Sequence, residues 1–236
     1  MKRSSLILAF MMIMTLTPVF SQEGFRLALR GGPQWIGFTG SDFRSTSPSE
    51  IVVRRDQTTG FQFGFDFEYY FTERFGIATG LIFSRQGQTY SLDLDDTWGD
   101  RTLDVRLMYA KIPFAVLYRI LQTSKTNLYL KAGLYAGYRT GADDNYQDVI
   151  PEEILLPGPE ERYSPGDFGF LAGIGAEINL SRMLNLRISI EADRGLRNVF
   201  RNEPWGYLAG AASAKNTTVT FSFGLVYLHG SCCDGN

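Results

Sequence analysis

Histidine, cysteine and long apolar runs are scarce in this chain. Its one histidine, His229, follows the last apolar-periodic segment. Hydrolases and acyltransferases at membrane surfaces generally use an imidazole base beside a nucleophile, and His229 lacks such company. Cys232 and Cys233 are adjacent, a spacing that strains a mutual bridge. With only His229 and Asp234 nearby they form a poor metal set. No catalytic residue, metal or cofactor is expected. A formal net charge of −2 gives no basic footprint for nucleic acid. Leu6 to Leu16 is a single apolar run, shorter than the roughly 20 residues a membrane-spanning helix needs.

That run has the grammar of an export signal. Lys2 and Arg3 precede it, Pro18 breaks it, and Val19 and Ser21 occupy the small-residue positions of a cleavage site. The expected division is therefore a signal peptide over 1–21 and one mature domain over 22–236. No cysteine follows the run, which excludes a lipoprotein. The leader holds two of the 23 basic residues and none of the 25 acidic ones, so the mature chain is the more acidic.

What is plentiful is aromatic side chains, 14% of the chain, and glycine, 25 residues. In Phe61-Gln62-Phe63-Gly64-Phe65-Asp66-Phe67-Glu68-Tyr69-Tyr70-Phe71 every odd position is aromatic. Side chains on a strand alternate faces, so this is a strand with one greasy and one polar side. The pattern recurs. Phe25, Leu27, Leu29 and Trp35 oppose Arg26, Ala28, Arg30 and Gln34; Phe75, Ile77, Leu81 and Phe83 oppose Gly76, Ala78, Gly80 and Ser84. Leu128, Leu130, Leu134 and Tyr138 oppose Tyr129, Lys131, Gly133, Tyr135 and Gly137. Phe168, Phe170, Ile174 and Ile178 oppose Gly169, Gly173, Gly175 and Glu177. Leu184, Leu186, Ile188 and Ile190 oppose Asn185, Arg187, Ser189, Glu191 and Asp193. The last strand sets Val219, Phe221, Phe223, Leu225 and Tyr227 against Thr218, Thr220, Ser222 and Gly224.

The fourth strand departs from the rule. Val105, Leu107 and Tyr109 are apolar at odd positions, Ile112, Phe114, Val116 and Tyr118 at even ones. A slip of phase within Ala110–Pro113 predicts a one-residue β-bulge, which would also accommodate a proline without an N–H.

Eight strands with short connections at Thr72–Arg74, Leu121–Thr126 and Ser181–Arg182 alternate with long polar ones at 39–58, 88–103, 141–166 and 196–214. Short periplasmic turns and long outer loops are the habit of outer-membrane barrels. The expected fold is all-β, an eight-stranded antiparallel up-and-down transmembrane barrel, exported to the outer membrane of a Gram-negative cell. A lipocalin-like soluble barrel would carry its apolar face inward instead. Volume decides against it: an eight-stranded interior is just wide enough to be filled by side chains and cannot hold so many phenylalanines. Phe25, Phe71, Phe75 and Tyr227 below and Trp35, Tyr138 and Phe168 above would form interfacial girdles.

The inward face then carries charge of both signs: Arg26, Arg30, Lys131 and Arg187, with Lys111 joining after the slip, against Asp66, Glu68, Glu177, Glu191 and Asp193. Buried charges cost several kcal/mol each, roughly, unless paired, so these ten residues are expected to form a structural network that fills the lumen.

The segment Leu107-Met108-Tyr109-Ala110-Lys111-Ile112-Pro113-Phe114-Ala115-Val116-Leu117-Tyr118 resembles the Tyr-x-x-Ile-Pro strand of PorT-like outer-membrane barrels. Gly60 to Tyr70, Leu130 to Tyr138 and Gly169 to Glu177 are similar as well, and the likeness runs through the mature chain. Lys111 stands where an acidic residue is expected. The resemblance implies an accessory role in protein secretion.

Other motifs dissolve on inspection. Asp93, Asp95, Asp96, Asp100 and Asp104 lack calcium-loop spacing, with Trp98 where glycine is needed. Gly173-Ile-Gly175 is followed by Ile178 and no helix, so it is no dinucleotide fingerprint. Loops 141–166 and 196–214 carry Ile154, Leu155, Leu156 and Pro157, and Phe200, Arg201, Trp205 and Tyr207. Such residues either offer a protein-partner site or fold over the mouth as a cap. The other partners expected are outer-membrane lipid and the barrel-assembly machinery. A non-enzymatic structural or partner-binding protein fits best; a lipid-modifying enzyme and a narrow channel are the alternatives.

Overall fold

A computed structural model describes residues 24–40, 52–56, 58–93, 100–145, 158–201 and 214–228. The expected signal segment, His229, Cys232, Cys233, Ile154–Pro157, Trp205 and Tyr207 lie outside them. The elements are β1 (Phe25–Gly40), β2 (Val52–Asp56), β3 (Thr58–Tyr70), β4 (Phe75–Asp93), β5 (Asp100–Gln122), β6 (Thr126–Asp144), a single helical turn α1 (Pro159–Arg162), β7 (Gly166–Asn179), β8 (Leu184–Gly195) and β9 (Ala214–Leu228).

All pairings are antiparallel, and the sheet closes: β1 pairs with both β3 and β9, and β4 with β5. Eight strands form the barrel wall, while β2 extends β3 upward along β4. Following the register once around shows the stagger. Arg26 pairs with Glu68, then in turn come Ala78, Ala115, Gly133, Leu171, Asp193 and Thr218, which pairs with Ile36. The circuit climbs from Arg26 to Ile36, a shear of ten residues on eight strands. Stagger of this kind obliges the strands to tilt.

The short connections are tight. In the β3–β4 turn the Thr72 hydroxyl accepts from the N–H groups of Arg74 and Phe75; Thr123 plays the same part for Thr126 between β5 and β6. Leu180 N–H donates to the Leu184 carbonyl between β7 and β8.

Alternation decides the faces. Phe25, Phe61, Phe63, Phe67, Phe114, Leu134, Tyr138, Phe168 and Phe223 all point outward and are exposed, Tyr138 at 66%. Arg26, Arg30, Asp66, Glu68, Lys111, Lys131, Glu177 and Arg187 point inward and are buried. Burying charge while exposing phenylalanine is stable only where the surroundings are hydrocarbon.

The bulge predicted within Ala110–Pro113 is not there. Pairing with β6 runs in one register from Tyr109↔Arg139 to Arg119↔Tyr129, and the pairs Thr79↔Phe114 and Ile82↔Lys111 with β4 share one register too. The shift against β6 falls between Met108 and Tyr109, where Thr140 of β6 is the extra residue. Leu103, Val105, Leu107, Tyr109, Lys111, Ala115, Leu117 and Arg119 are all buried and inward, so side-chain parity never slips. The surroundings invert instead. A strand needs about 9–11 residues to cross a bilayer, and β5 has 23. Its outer half stands in water, so apolar side chains turn inward and Thr102 and Arg106 outward.

The barrel therefore has two storeys. The lower has a greasy exterior and a charged lumen. The upper has a polar exterior around an apolar core of Phe38, Tyr90, Leu103, Val105, Leu107, Tyr109, Tyr163, Val199, Phe200 and Ala214. For the same reason the loops expected over 39–58 and 88–103 are largely strand. Polar Thr89, Ser91 and Thr102 read as loop, but they are the water-facing side of β4 and β5, whose inward side carries buried Tyr90 and Leu103.

Candidate functional site

The lumen of the lower storey gathers all ten residues that the strand pattern turned inward. Five are cations and five carboxylates, and they meet in closed circuits. At the periplasmic end Arg187 on β8 donates two hydrogen bonds to Glu68 on β3, at 2.5 and 2.8 Å. Its Nε lies 3.1 Å from Glu177 on β7. Arg26 on β1 pairs closely with Glu177 and sits 3.8 Å from Glu68. This ring of four alternates in sign and is neutral.

A second ring lies above it. Arg30 contacts Asp66 at 3.0 Å and Glu191 at 2.5 Å, and Lys131 contacts the same two carboxylates at 3.0 and 3.5 Å. It too is neutral. Higher still, Lys111 pairs with Asp193 at 2.6 Å, and Asp193 also accepts from the Thr218 hydroxyl. Arginine suits the ring corners because its planar fork can bridge two carboxylates at once.

Glycines make room for this. Gly173 stands directly between Lys131 and Glu191 in the β6–β7–β8 register, and a Cβ there would come within 2.6 Å of Glu191 Cγ. Gly224 lies in the same way between Arg30 and Arg187. Tyrosines fill the remaining width: the Tyr129 ring lies 4.8 Å below the Arg187 guanidinium, and Tyr135 lies 4.6 Å from Lys111 Nζ.

The strand pattern missed Arg119, whose guanidinium stacks 3.8 Å from the Tyr70 ring. Its odd position, in phase with Lys111, was the available signal. It also missed Asp167, which accepts from the Tyr135 hydroxyl at 3.0 Å and from Asn216 at 2.9 Å; its parity with Gly169 marks it as inward. Between charge and apolar core lies an uncharged layer, where Gln34 accepts from Ser84 at 3.2 Å and Gln88 accepts from the Phe38 N–H at 3.1 Å.

At the upper mouth the described parts of the third and fourth long loops, residues 158–165 and 196–201, pack on the apolar core through Tyr163, Val199 and Phe200. Arg162 pairs with Asp144, which also accepts from the Tyr163 hydroxyl at 2.7 Å. Tyr163 and Phe200 form an isolated bridge, their rings 5.6 Å apart, and the Ser164 N–H donates to the Val199 carbonyl at 2.7 Å. Phe200 is thus part of a cap, whereas Arg201 beside it is exposed. Among the described residues no cluster of three or more His, Cys, Asp or Glu could hold a metal.

Residues 20–201 match the family described as outer membrane protein beta-barrel domain. The chain belongs to that family. It is an outer-membrane β-barrel, and its place is the outer membrane. Among solved structures it is similar to the outer membrane protein OprG from Pseudomonas aeruginosa, at 13% identity and a TM-score of 0.48, covering 89% of this chain and 98% of that one. Neisserial surface protein A is similar at 12% identity and a TM-score of 0.49, covering 87% and 97%. So is the outer membrane protease OmpT from Escherichia coli, at 10% identity and a TM-score of 0.47, covering 91% and 99%. No curated protein matches.

Proposed function

We propose that this barrel is a closed, non-enzymatic outer-membrane protein, structural or partner-binding, serving as an accessory to protein secretion in the PorT-like manner. It is exported by a signal peptide cleaved after Ser21 and inserted by the barrel-assembly machinery. The observation that carries the reading is the filled lumen. Two neutral rings of charge and a third pair occupy the bore, and a cavity of about 20 Å³ beside Arg30, Lys111 and Glu191 has room for about one water molecule. A bore so occupied supports a scaffold over a conduit.

The upper storey supports the partner-binding half of the reading. An apolar-cored lobe standing above the membrane anchors the described ends of the third and fourth long loops through Tyr163, Val199, Phe200 and Ala214 on the outer side, where a partner can reach them. We assign the partner site to loops 141–166 and 196–214.

Two measurements test this. In planar bilayers the purified protein should hold conductance at background, and a steady open current would overturn the closed lumen. In pull-downs from membranes, a protein partner captured by the wild type should be lost when loops 141–166 and 196–214 are deleted. Capture that survives the deletion moves the partner site elsewhere.

A further inference from the structure

The outward side of the wall changes character at the outer ends of β8 and β9. On β8 Leu186, Ile188, Ile190 and Ala192 face outward, and the next outward residue is Arg194, which is exposed. On β9 Tyr227, Leu225, Phe223, Phe221 and Val219 give way to Thr217 and then Lys215. Arg194 and Thr217 are register partners, so cation and hydroxyl stand side by side on one face. Exposed Phe170 of β7 and Trp35 of β1, the register partners of Arg194 and Val219, mark this level as the edge of the greasy belt.

That edge carries positive charge which these strands do not neutralise. β9 contains no aspartate or glutamate. The two acids of β8, Glu191 and Asp193, turn inward, where Glu191 pairs with Arg30 and Lys131 and Asp193 with Lys111. Arg194 and Lys215 make no ion pair among the described residues. Cations at the seam between hydrocarbon and water sit at the depth of lipid head groups and attract anionic ones. A guanidinium also matches phosphate in shape, through two parallel N–H bonds.

The same sector offers a seat for an acyl chain. The strands β3, β1, β9 and β8 are consecutive in the wall. A groove of about 630 Å³ crosses their outward side, lined by Leu29, Phe63, Phe65, Leu186, Phe223 and Leu225. Gly31 lies between Phe63 and Phe223 in the register and contributes no side chain there. We infer that this sector binds a phosphate-bearing lipid of the outer leaflet. Arg194, Lys215 and the Thr217 hydroxyl take the phosphate, and the groove at Gly31 takes an acyl chain. The assignment concerns the membrane-facing wall and does not rest on the partner role proposed for the loops.

The test is native mass spectrometry of the full chain, released from non-ionic detergent after incubation with dioleoyl phosphatidic acid. Dioleoylglycerol, with the same chains and no phosphate, is the comparison lipid. Phosphatidic acid should be retained and dioleoylglycerol should not, and inorganic phosphate at equal concentration should leave the lipid in place. Arg194→Gln and Lys215→Gln should each weaken retention about fivefold. Gly31→Val, which fills the groove without changing charge, should weaken it too. Arg106→Gln, a rim position on β5 already paired with Asp104, should retain the lipid as the wild type does. Unchanged heat-modifiability on gels for the variants separates lost binding from lost folding. Four results would overturn the site: equal retention of dioleoylglycerol, displacement by inorganic phosphate, wild-type retention by Arg194→Gln or Gly31→Val, or a loss in Arg106→Gln as large as in Arg194→Gln.

Discussion

Arg187 and Glu68 are 119 positions apart in sequence, with β1 and β9 between their strands in the wall, yet they face each other across the lumen as a two-pronged pair at 2.5 and 2.8 Å. Only a closed sheet brings them together. Removing one partner of a buried pair leaves a bare charge in a low-dielectric interior and costs about 3–5 kcal/mol. Glu68→Gln should lower the urea-unfolding stability of the detergent-solubilised barrel by about that much. The pair Glu68→Met with Arg187→Met should recover part of the loss, though Glu177 then keeps Arg26 alone. Full additivity of the two single effects would argue against a coupled ring.

Gly173 gives a steric prediction. Its missing Cβ is the space that Glu191 uses, with Ile190 O a further 2.8 Å neighbour. Gly173→Ala should destabilise the barrel by about 1–3 kcal/mol. Because part of the clash is with backbone, shortening the acid with Glu191→Asp should restore only a fraction. A neutral urea midpoint for Gly173→Ala would mean the second ring has slack.

The two-storey arrangement separates two positions on one strand. Leu107 is fully buried in the upper core, and Phe114, seven residues on, is 61% exposed to lipid. Leu107→Ala should cost about 2–5 kcal/mol and open the cap to added protease on intact cells, leaving the membrane storey folded. Phe114→Arg should cost about 2–4 kcal/mol through its place in the hydrocarbon, with the cap still protected. Identical proteolysis patterns for the two variants would contradict the inversion along β5.

Asp144 holds both Arg162 and Tyr163 of the cap. Asp144→Ala should make the segment around α1 the first site of proteolytic cleavage, with barrel heat-modifiability on gels unchanged. Glu160, paired to Arg139 at 2.6 Å, is exposed, so Glu160→Ala should matter less, about 1 kcal/mol or below; Arg139 itself is buried and also donates to the carbonyls of Glu160, Tyr163 and Ser164.

Much of this was legible in the residues. The odd-position aromatics of Phe61–Phe71 specify a strand and its lipid face, since alternation with period two is a property of the extended backbone. Volume alone sends the phenylalanines outward, and Arg26, Arg30, Lys131 and Arg187 inward with their carboxylates. What periodicity could not distinguish was a slip of phase from a change of medium. Leu107, Tyr109 and Lys111 share one face in the structure, but along the chain the apolar positions pass from odd to even, which reads as a β-bulge. Polarity reports the surroundings, whereas parity reports the backbone, and the two part company where β5 leaves the bilayer.

The chain on its own determined the strands, their faces and the sum of charge inside, because those depend on neighbours one and two residues away. Which carboxylate each arginine takes, that two arginines and two glutamates close into a ring, and that Phe200 caps the mouth were decided by closure and by the ten-residue shear. Both are relations between strands distant in sequence, and local order carries no record of them.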